Sequence, residues 1–348
     1  MRTDLATTFF AALSVAALSV ALLAACAPET VAPPPAPPVD WHSFNQAAKV
    51  ATGPIAPTAK EQAVAQAYIS ALNSPGFAQL GPLLSDDAHV SFPGLDDARG
   101  RTSVVHTHDV LFGSFDQRRF VTTRVWRTAS EQTVEWTMAG TQTRDWMRVP
   151  VTGKSVTIKG LTLLFTQDDG SVSDVHIYFD LAATRSQLGA GPKELAGLPA
   201  PVMPSGAPQT IDQNGQDMDN VRVVRASLDA LENSENGYVG AFTDDVEVHT
   251  LERVSPSKGK TARQAYFRAM HKAIGELDTT LENGWGIARF AVVEYTIAGE
   301  QLGPVGWVPM QKDAVVRLHV ADVCELRDGR ISQVWRYDNP GEISEPSP

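Results

Sequence analysis

One stretch of the chain occurs twice, 159 residues apart. The segment 134–142 (VEWTMAGTQ) is matched by 293–301 (VEYTIAGEQ). The same offset relates other short identities: Ala71-Leu72 and Ala230-Leu231, Gly100 and Gly259, Val149-Pro150 and Val308-Pro309, Asp169-Gly170 and Asp328-Gly329, and Tyr178 and Tyr337. A constant offset at so many positions indicates two copies of one domain.

The repeat sets the domain boundaries. The first copy is expected at 59–188 and the second at 217–342, followed by a short tail at 343–348. Residues 189–216 between the copies are rich in proline and glycine, which is typical of a linker. The stretch 26–58 is also rich in proline, so we expect a stiff, extended tether there.

Residues 1–25 resemble the signal peptide of a bacterial lipoprotein. Residues 5–25 carry no charge, but this apolar run ends in Leu23-Ala24-Ala25-Cys26, and small residues before a cysteine resemble the lipobox. The resemblance implies cleavage before Cys26 and attachment of lipid to its thiol. The protein is then anchored in the bacterial cell envelope, with the periplasmic face of the outer membrane as the default because Ala27 is not Asp. An uncleaved anchor or an ordinary signal peptide is the alternative.

Composition excludes several classes of protein. With 29 basic and 40 acidic side chains, a net charge of −11, the chain lacks the positive surface that nucleic-acid binding needs. Two cysteines exclude a disulfide scaffold, and Cys324 is expected to be buried and reduced. We predict no cofactor and no metal site, since His319 lies on the other face of its strand from Asp322 and Cys324.

Each copy shows the pattern of helices followed by strands. Apolar residues at helical spacing over 64–72 and 221–231 predict the opening helices, and another helix follows Gly100 or Gly259. Strands are expected at 89–92, 119–127, 132–141, 155–166 and 172–179, and at 247–250, 279–287, 291–298, 314–326 and 331–337. This order predicts an α+β fold in which the helices pack on one face of a curved antiparallel sheet.

Three motifs of the first copy carry a family resemblance: 139–142 (AGTQ), 150–154 (PVTGK) and 187–189 (QLG). With the order of elements, they resemble the SnoaL-like polyketide cyclases, a branch of the nuclear transport factor 2-like superfamily that also includes ketosteroid isomerases. The resemblance implies two tandem cone-shaped α+β barrel domains. It also implies a pocket for a small apolar molecule inside a cone, although this fold hosts enzymes, binding modules and inert scaffolds alike.

The last strand of the first copy carries the candidate proton carriers. His176, Tyr178 and Asp180 alternate along it and therefore share one face. Asp180 matches the aspartate that transfers protons in the cyclases, and His176 is the second candidate for this role. The alternatives are a solvated strand face or an interface.

Tyr68 resembles the oxyanion-stabilising tyrosine of the isomerases, and the alternative is a core tyrosine. The isomerase base would fall at Phe92 or Thr250, and neither can accept a proton from carbon. Gln142 and Gln301 stand where the cyclase pattern has histidine, and a glutamine can orient a carbonyl but cannot shuttle protons.

The remaining candidate ligand contacts are aromatic: Trp136, Tyr178, Tyr295, Trp335 and Tyr337. The aspartate pairs 86–87 and 244–245 are expected to serve as turn residues, with a cation or acid site as the alternative.

Three functional hypotheses follow. The first is a protein that binds a small apolar molecule in a cone, and the second is an acid–base enzyme that uses the first domain. The third is a structural or interaction module, in which the copies pack sheet to sheet as an intrachain pseudo-dimer or the chain forms a homodimer. Cones filled by side chains in both copies would argue against the first two hypotheses.

Overall fold

The structure, a computed structural model, describes residues 59–128, 130–212, 218–253, 255–311 and 314–343. The predicted signal peptide with Cys26, the predicted tether and nearly all of the predicted tail lie outside these residues. Among the described residues, no helix is both long and apolar enough to cross a membrane.

The first domain follows the predicted order of helices and strands. Its elements are α1 (Ala59–Leu72), β1 (Leu84–Ser91), β2 (Ala98–Arg99), α2 (Arg101–Phe112), β3 (Phe115–Arg127), β4 (Glu131–Gln142), β5 (Ser155–Thr166), β6 (Val172–Phe179) and α3 (Leu181–Leu188). The strands form a sheet in the order β2-β1-β6-β5-β4-β3. The α+β fold is confirmed with one correction, because β1 runs parallel to β6. No hairpin joins these two strands, so their direction is not constrained to be antiparallel.

The predicted linker contributes a strand to this sheet. Strand β7 (Gln209–Asp212) pairs in parallel with β3 and makes the sheet seven-stranded. The Arg127 guanidinium donates to both carboxylate oxygens of Asp212 at 2.7 and 2.8 Å, a two-pronged ion pair that holds the short strand in register. Composition alone did not predict this strand, since its pairing partner lies more than 80 residues earlier in the chain.

The second domain repeats the first. Its elements are α4 (Met218–Asn233), α5 (Glu235–Gly240), β8 (Phe242–His249), β9 (Ser257–Lys258), α6 (Gly259–Ala273), β10 (Ile274–Ile287), β11 (Phe290–Gln301), β12 (Val315–Arg327) and β13 (Arg330–Asp338). The strand order is β10-β11-β12-β13-β8-β9, again with one parallel pair, β13 and β8. Cys324 is buried in the core of this domain, as expected.

The aspartate pairs lie in strands, so the expectation of turns is wrong. Asp86 and its neighbour belong to β1, at a break in its register with β6, and the second pair belongs to β8. Asp86 forms an ion pair with Arg101 at 2.9 Å, and Asp244 forms one with Lys260 at 2.7 Å. Each pair therefore contributes a surface salt bridge at the same place in its domain.

Aromatic side chains fill the interior of the first cone. Phe112, Phe120 and Phe179 surround Trp136 with ring centroids 5.6, 5.2 and 6.1 Å from the Trp136 ring. At Gly160 on the next strand, a Cβ atom would lie 2.3 Å from Trp136 Cζ2. Glycine is required there because the indole occupies the space that a side chain would need.

Candidate functional site

Inside the first cone, the hydroxyl of Tyr68 is bonded to a buried histidine. Tyr68 Oη lies 2.8 Å from His108 Nε2, and His108 Nδ1 lies 2.7 Å from the carbonyl oxygen of Val104. Because a carbonyl only accepts, Nδ1 carries the proton and Nε2 accepts from Tyr68. Burial lowers the pKa of His108 to about 4, so the ring is neutral at pH 7. Tyr68 is placed as a core tyrosine with a satisfied hydroxyl.

The side chains of Gln142 and Gln301 each form hydrogen bonds with a neighbouring loop. Gln142 Nε2 donates to the carbonyl oxygens of 149–150 at 3.1 and 3.2 Å, and its Oε1 accepts from the amide and hydroxyl of Thr152 at 3.0 and 2.7 Å. Gln301 makes similar contacts with the loop 303–311. Both side chains are buried. The hydrogen bonds of Gln142 are fully used, so it is not placed to orient a carbonyl of a ligand.

A buried ion pair occupies the interior of the second cone. Arg336 donates to both carboxylate oxygens of Asp322 at 3.0 and 2.8 Å, and to the hydroxyls of Tyr266 and Tyr295 at 2.7 Å each. The Tyr295 hydroxyl in turn donates to Asp322 at 2.9 Å. The polar groups at the centre of this cone therefore satisfy one another, and Tyr295 is placed in this network and not at a ligand.

His176 and Tyr178 lie between the two domains, not inside the first cone. His176 Nδ1 lies 2.8 and 3.0 Å from the carboxylate oxygens of Glu294 in β11, and the Tyr178 hydroxyl donates to the same carboxylate at 2.9 Å. Burial opposes the charge of each partner, but their mutual attraction raises the pKa of His176 and lowers that of Glu294. Of the alternatives for this strand face, the structure shows the interface.

An equivalent contact, with the roles of the two domains reversed, surrounds Glu135. The Tyr337 hydroxyl of the second domain donates to this carboxylate. Arg124 contributes two hydrogen bonds of 2.8 Å, and Lys159 Nζ lies at 2.7 Å. Burial raises the pKa of Glu135, but the hydrogen bonds from Arg124 and the charge of Lys159 prevail and lower it to about 2. The tyrosine hydroxyl of each copy thus donates a hydrogen bond to the glutamate of the other copy. The 159-residue offset of the repeat relates the two tyrosines, and it also relates the two glutamates.

Apolar side chains surround these charges. One buried cluster contains Trp126, Leu161 and Leu163 from the first sheet and Trp285, Phe290 and Val323 from the second. The outer faces of the two sheets therefore contact each other and exclude water from the glutamates.

Two adjoining cavities lie where the linker passes the boundary between the domains. The larger, of about 380 Å³, is lined by Lys159, by Trp335 and Tyr337 of β13, by the loop 249–253 and by the linker between Leu198 and Pro204. The smaller, of about 170 Å³, is lined by Asp180, α3 and the linker from Leu195 to Pro201. Of the predicted site residues, Asp180, Trp335 and Tyr337 thus line cavities, but outside the cones.

Asp180 is a buried helix cap beside the smaller cavity. It caps α3 by accepting a hydrogen bond from the amide of Ala183 at 2.9 Å, and its other oxygen is buried with no hydrogen-bond partner among the described residues. Burial, with the nearby charge of Glu252 adding to it, raises the pKa of Asp180 to about 6. A carboxyl group that titrates near neutral pH can both accept and donate a proton.

Trp335 is held from both domains at the edge of the larger cavity. Its ring stacks on His249 of the second domain at a centroid distance of 5.7 Å and an angle of 12°. The guanidinium carbon of Arg124, in the first domain, lies 3.9 Å from the indole centroid. This cation–π contact fixes the indole against the first sheet.

Comparison with known proteins agrees with this architecture. The family model of the SnoaL-like polyketide cyclases matches residues 62–188, and that of the SnoaL-like domain matches residues 224–334. No curated protein gives a significant match.

Solved structures of the same kind match about a third of the chain. A protein described as a SnoaL-like polyketide cyclase from Jannaschia sp. CCS1 is 19% identical, with 38% of this chain and 94% of that chain covered and a TM-score of 0.36. A protein described as a polyketide cyclase from Silicibacter sp. TM1040 is 23% identical, with coverages of 39% and 100% and a TM-score of 0.34. The two family matches lie one after the other along the sequence, and the chain therefore belongs to the SnoaL-like family as a tandem of two such domains.

Proposed function

We propose that the chain is a lipid-anchored protein of the bacterial cell envelope that binds a small, largely apolar molecule between its two domains. The observation that carries this proposal is the cavity of about 380 Å³ that both domains and the linker line. Cavities of roughly 300–1,000 Å³ are typical of small-molecule sites. The interior of the first cone is filled around Trp136 and that of the second is occupied by the ion pair of Arg336, so the proposed site lies outside the cones.

The lining indicates the chemistry of the ligand. Leu198, Leu251 and Trp335 supply apolar surface, and several charged side chains also line the cavity. One of these is Glu252, whose Oε2 atom is buried with no hydrogen-bond partner among the described residues. Because a buried acceptor without a donor is costly, a ligand with an apolar body and a hydroxyl or amine group fits this lining best.

Filling the cavity is expected to remove the ligand. Ala200 lines the cavity, so the Ala200→Trp variant should retain less than a tenth of the compound that mass spectrometry detects after native purification of the wild type. Ala207→Trp is the matched control, since Ala207 is an exposed linker residue outside the lining, and it should retain the compound. A wild type that carries no compound, or equal retention by both variants, would contradict the proposal.

A second candidate function is acid–base catalysis, which the raised pKa and the unpartnered oxygen of Asp180 favour. The same extraction from an Asp180→Asn variant separates the two functions, since asparagine preserves the helix cap. A binding protein yields one compound from both proteins. An enzyme yields substrate from the variant and product from the wild type.

The lipid anchor rests on the sequence around Cys26. Intact-mass measurement of the mature protein should show a chain that begins at Cys26 and carries a diacylglycerol. The Cys26→Ser variant should move from the membrane fraction to the soluble fraction. An unmodified Cys26, or a Cys26→Ser variant that stays in the membrane fraction, would exclude the lipoprotein assignment.

A further inference from the structure

A second polar cluster lies on the outer face of the first sheet. His89 of β1 is the register partner of Asp174 in β6, and Ser91 is the partner of His176. Paired residues of neighbouring strands share a face, so His89, Asp174 and His176 lie together. One donor atom from each of these three side chains lies within 4.8 Å of the other two.

We propose that His89, Asp174 and His176 bind a divalent transition metal such as Zn²⁺, a site that the sequence did not predict. Two imidazoles and a carboxylate are ligands that zinc prefers. His89 Nδ1 and Asp174 Oδ1 are 3.3 Å apart. A tetrahedral site with bonds of about 2.0–2.1 Å has ligand atoms about 3.3 Å apart, so this pair already has the spacing of two metal ligands.

The remaining nitrogen of each histidine faces a carboxylate. His176 Nδ1 lies 2.8 Å from Glu294 Oε1, and His89 Nε2 lies 3.5 Å from Asp97 Oδ2. Metal-bound histidines almost always have such a carboxylate or carbonyl at their second nitrogen, because it orients the ring and sets the tautomer. This arrangement assigns His89 Nδ1 and His176 Nε2 as the two nitrogen ligands.

Charge and access also fit a cation. Three carboxylates, from Asp97, Asp174 and Glu294, surround two imidazoles, so the cluster is negative when both rings are neutral. The histidines are 4% and 7% exposed, whereas the side chains of Asp174 and Asp97 are 21% and 33% exposed. The open side at these carboxylates provides an entry path, and it leaves a fourth coordination position for water.

The site would also join the domains. Glu294 belongs to the second domain, and it orients a ligand that belongs to the first. Occupancy should therefore stabilise the folded chain as a whole, since a cation that binds only the folded state shifts the folding equilibrium.

The test uses the full chain, freed of metal by a chelator that is then removed. Calorimetric titration with Zn²⁺ should show one ion per chain, and Co²⁺ should give the visible absorption of a four-coordinate site. Asp174→Asn should weaken Zn²⁺ binding at least 100-fold, and Asp97→Asn about 10-fold, because Asp97 acts only through His89. His106→Gln changes an exposed histidine of α2, outside the cluster, and should bind Zn²⁺ as the wild type does.

Zinc should raise the melting temperature of the wild type and of His106→Gln, but not that of Asp174→Asn. Circular dichroism of each metal-free variant checks that it is folded. A wild type that does not bind Zn²⁺, or an Asp174→Asn variant that binds it with wild-type affinity, would overturn the proposal. The cluster would then be a hydrogen-bonded network of protonated histidines.

Discussion

Replacement of Glu135 by alanine is expected to lower the free energy of unfolding by about 3–5 kcal/mol. The carboxylate is fully buried and is the shared partner of Arg124, Lys159 and the hydroxyl of Tyr337. Without it, two cations lose their counter-ion at the contact between the domains. Leaving a buried charge uncompensated costs far more than removing a charge pair at the surface.

Chemical denaturation of the full chain measures this loss. Asp86→Ala is the matched control, since it removes an ion pair with Arg101 in which the Asp86 side chain is 93% exposed, and it should cost less than about 1 kcal/mol. Glu135→Gln should fall between the two, because an amide oxygen still accepts a hydrogen bond. Equal losses for Glu135→Ala and Asp86→Ala would contradict the buried ion network.

Lowering the pH should remove the stability that the Glu135 carboxylate contributes to the folded state. The pKa of Glu135 falls from its ordinary 4.5 to about 2, because the hydrogen bonds and charges of its cations outweigh the cost of burial. A lowered pKa contributes stability that is complete above the ordinary value and is lost as the pH falls towards the lowered one. The difference in stability between wild type and Glu135→Gln should therefore shrink from pH 4.5 towards pH 2.

The second large effect is expected in the first cone, where Trp136→Ala should lower the free energy of unfolding by about 3–5 kcal/mol. Trp136 is fully buried, and its indole nitrogen donates to the Thr162 hydroxyl at 2.9 Å. Its removal leaves an apolar cavity among Phe112, Phe120 and Phe179, and the surrounding strands can relax into it only in part.

Denaturation curves with and without added indole separate this effect from general damage. Indole should stabilise Trp136→Ala more than it stabilises the wild type, since only the variant has the new cavity. Trp307→Ala, at a partly exposed tryptophan, should lose less stability and should respond to indole as the wild type does. Equal stabilisation of Trp136→Ala and the wild type by indole would contradict a new cavity in the first cone.

Sequence patterns predicted the fold well, because it depends on local periodicity and on the repeat. Alternation placed His176 and Tyr178 on the same strand face, which the structure confirms. Periodicity does not say which face meets the helices. The apolar alternate set, Val175, Ile177 and Phe179, takes the cone interior. Glu294, the partner of the polar face, lies more than 100 residues away.

The remaining site residues depend on pairings between distant parts of the chain. Tyr68 of α1 and His108 of α2 meet inside the cone, which no spacing along either helix predicts. His89 joins Asp174 because β1 lies parallel to β6, whereas the sequence predicted antiparallel neighbours. The signal that could have located the interface was the repeat itself, since it places a glutamate between a valine and an aromatic residue in both copies, at 134–136 (VEW) and 293–295 (VEY).

The reciprocal tyrosine–glutamate hydrogen bonds between the copies have a consequence for symmetry. A homodimer built on these faces would carry every feature of the contact twice, whereas two linked copies can diverge. At one position of the repeat the first copy has His176, within a group of imidazoles and carboxylates, and the second has Trp335, at the edge of the larger cavity. The two copies thus place unlike side chains at equivalent positions of a single interface.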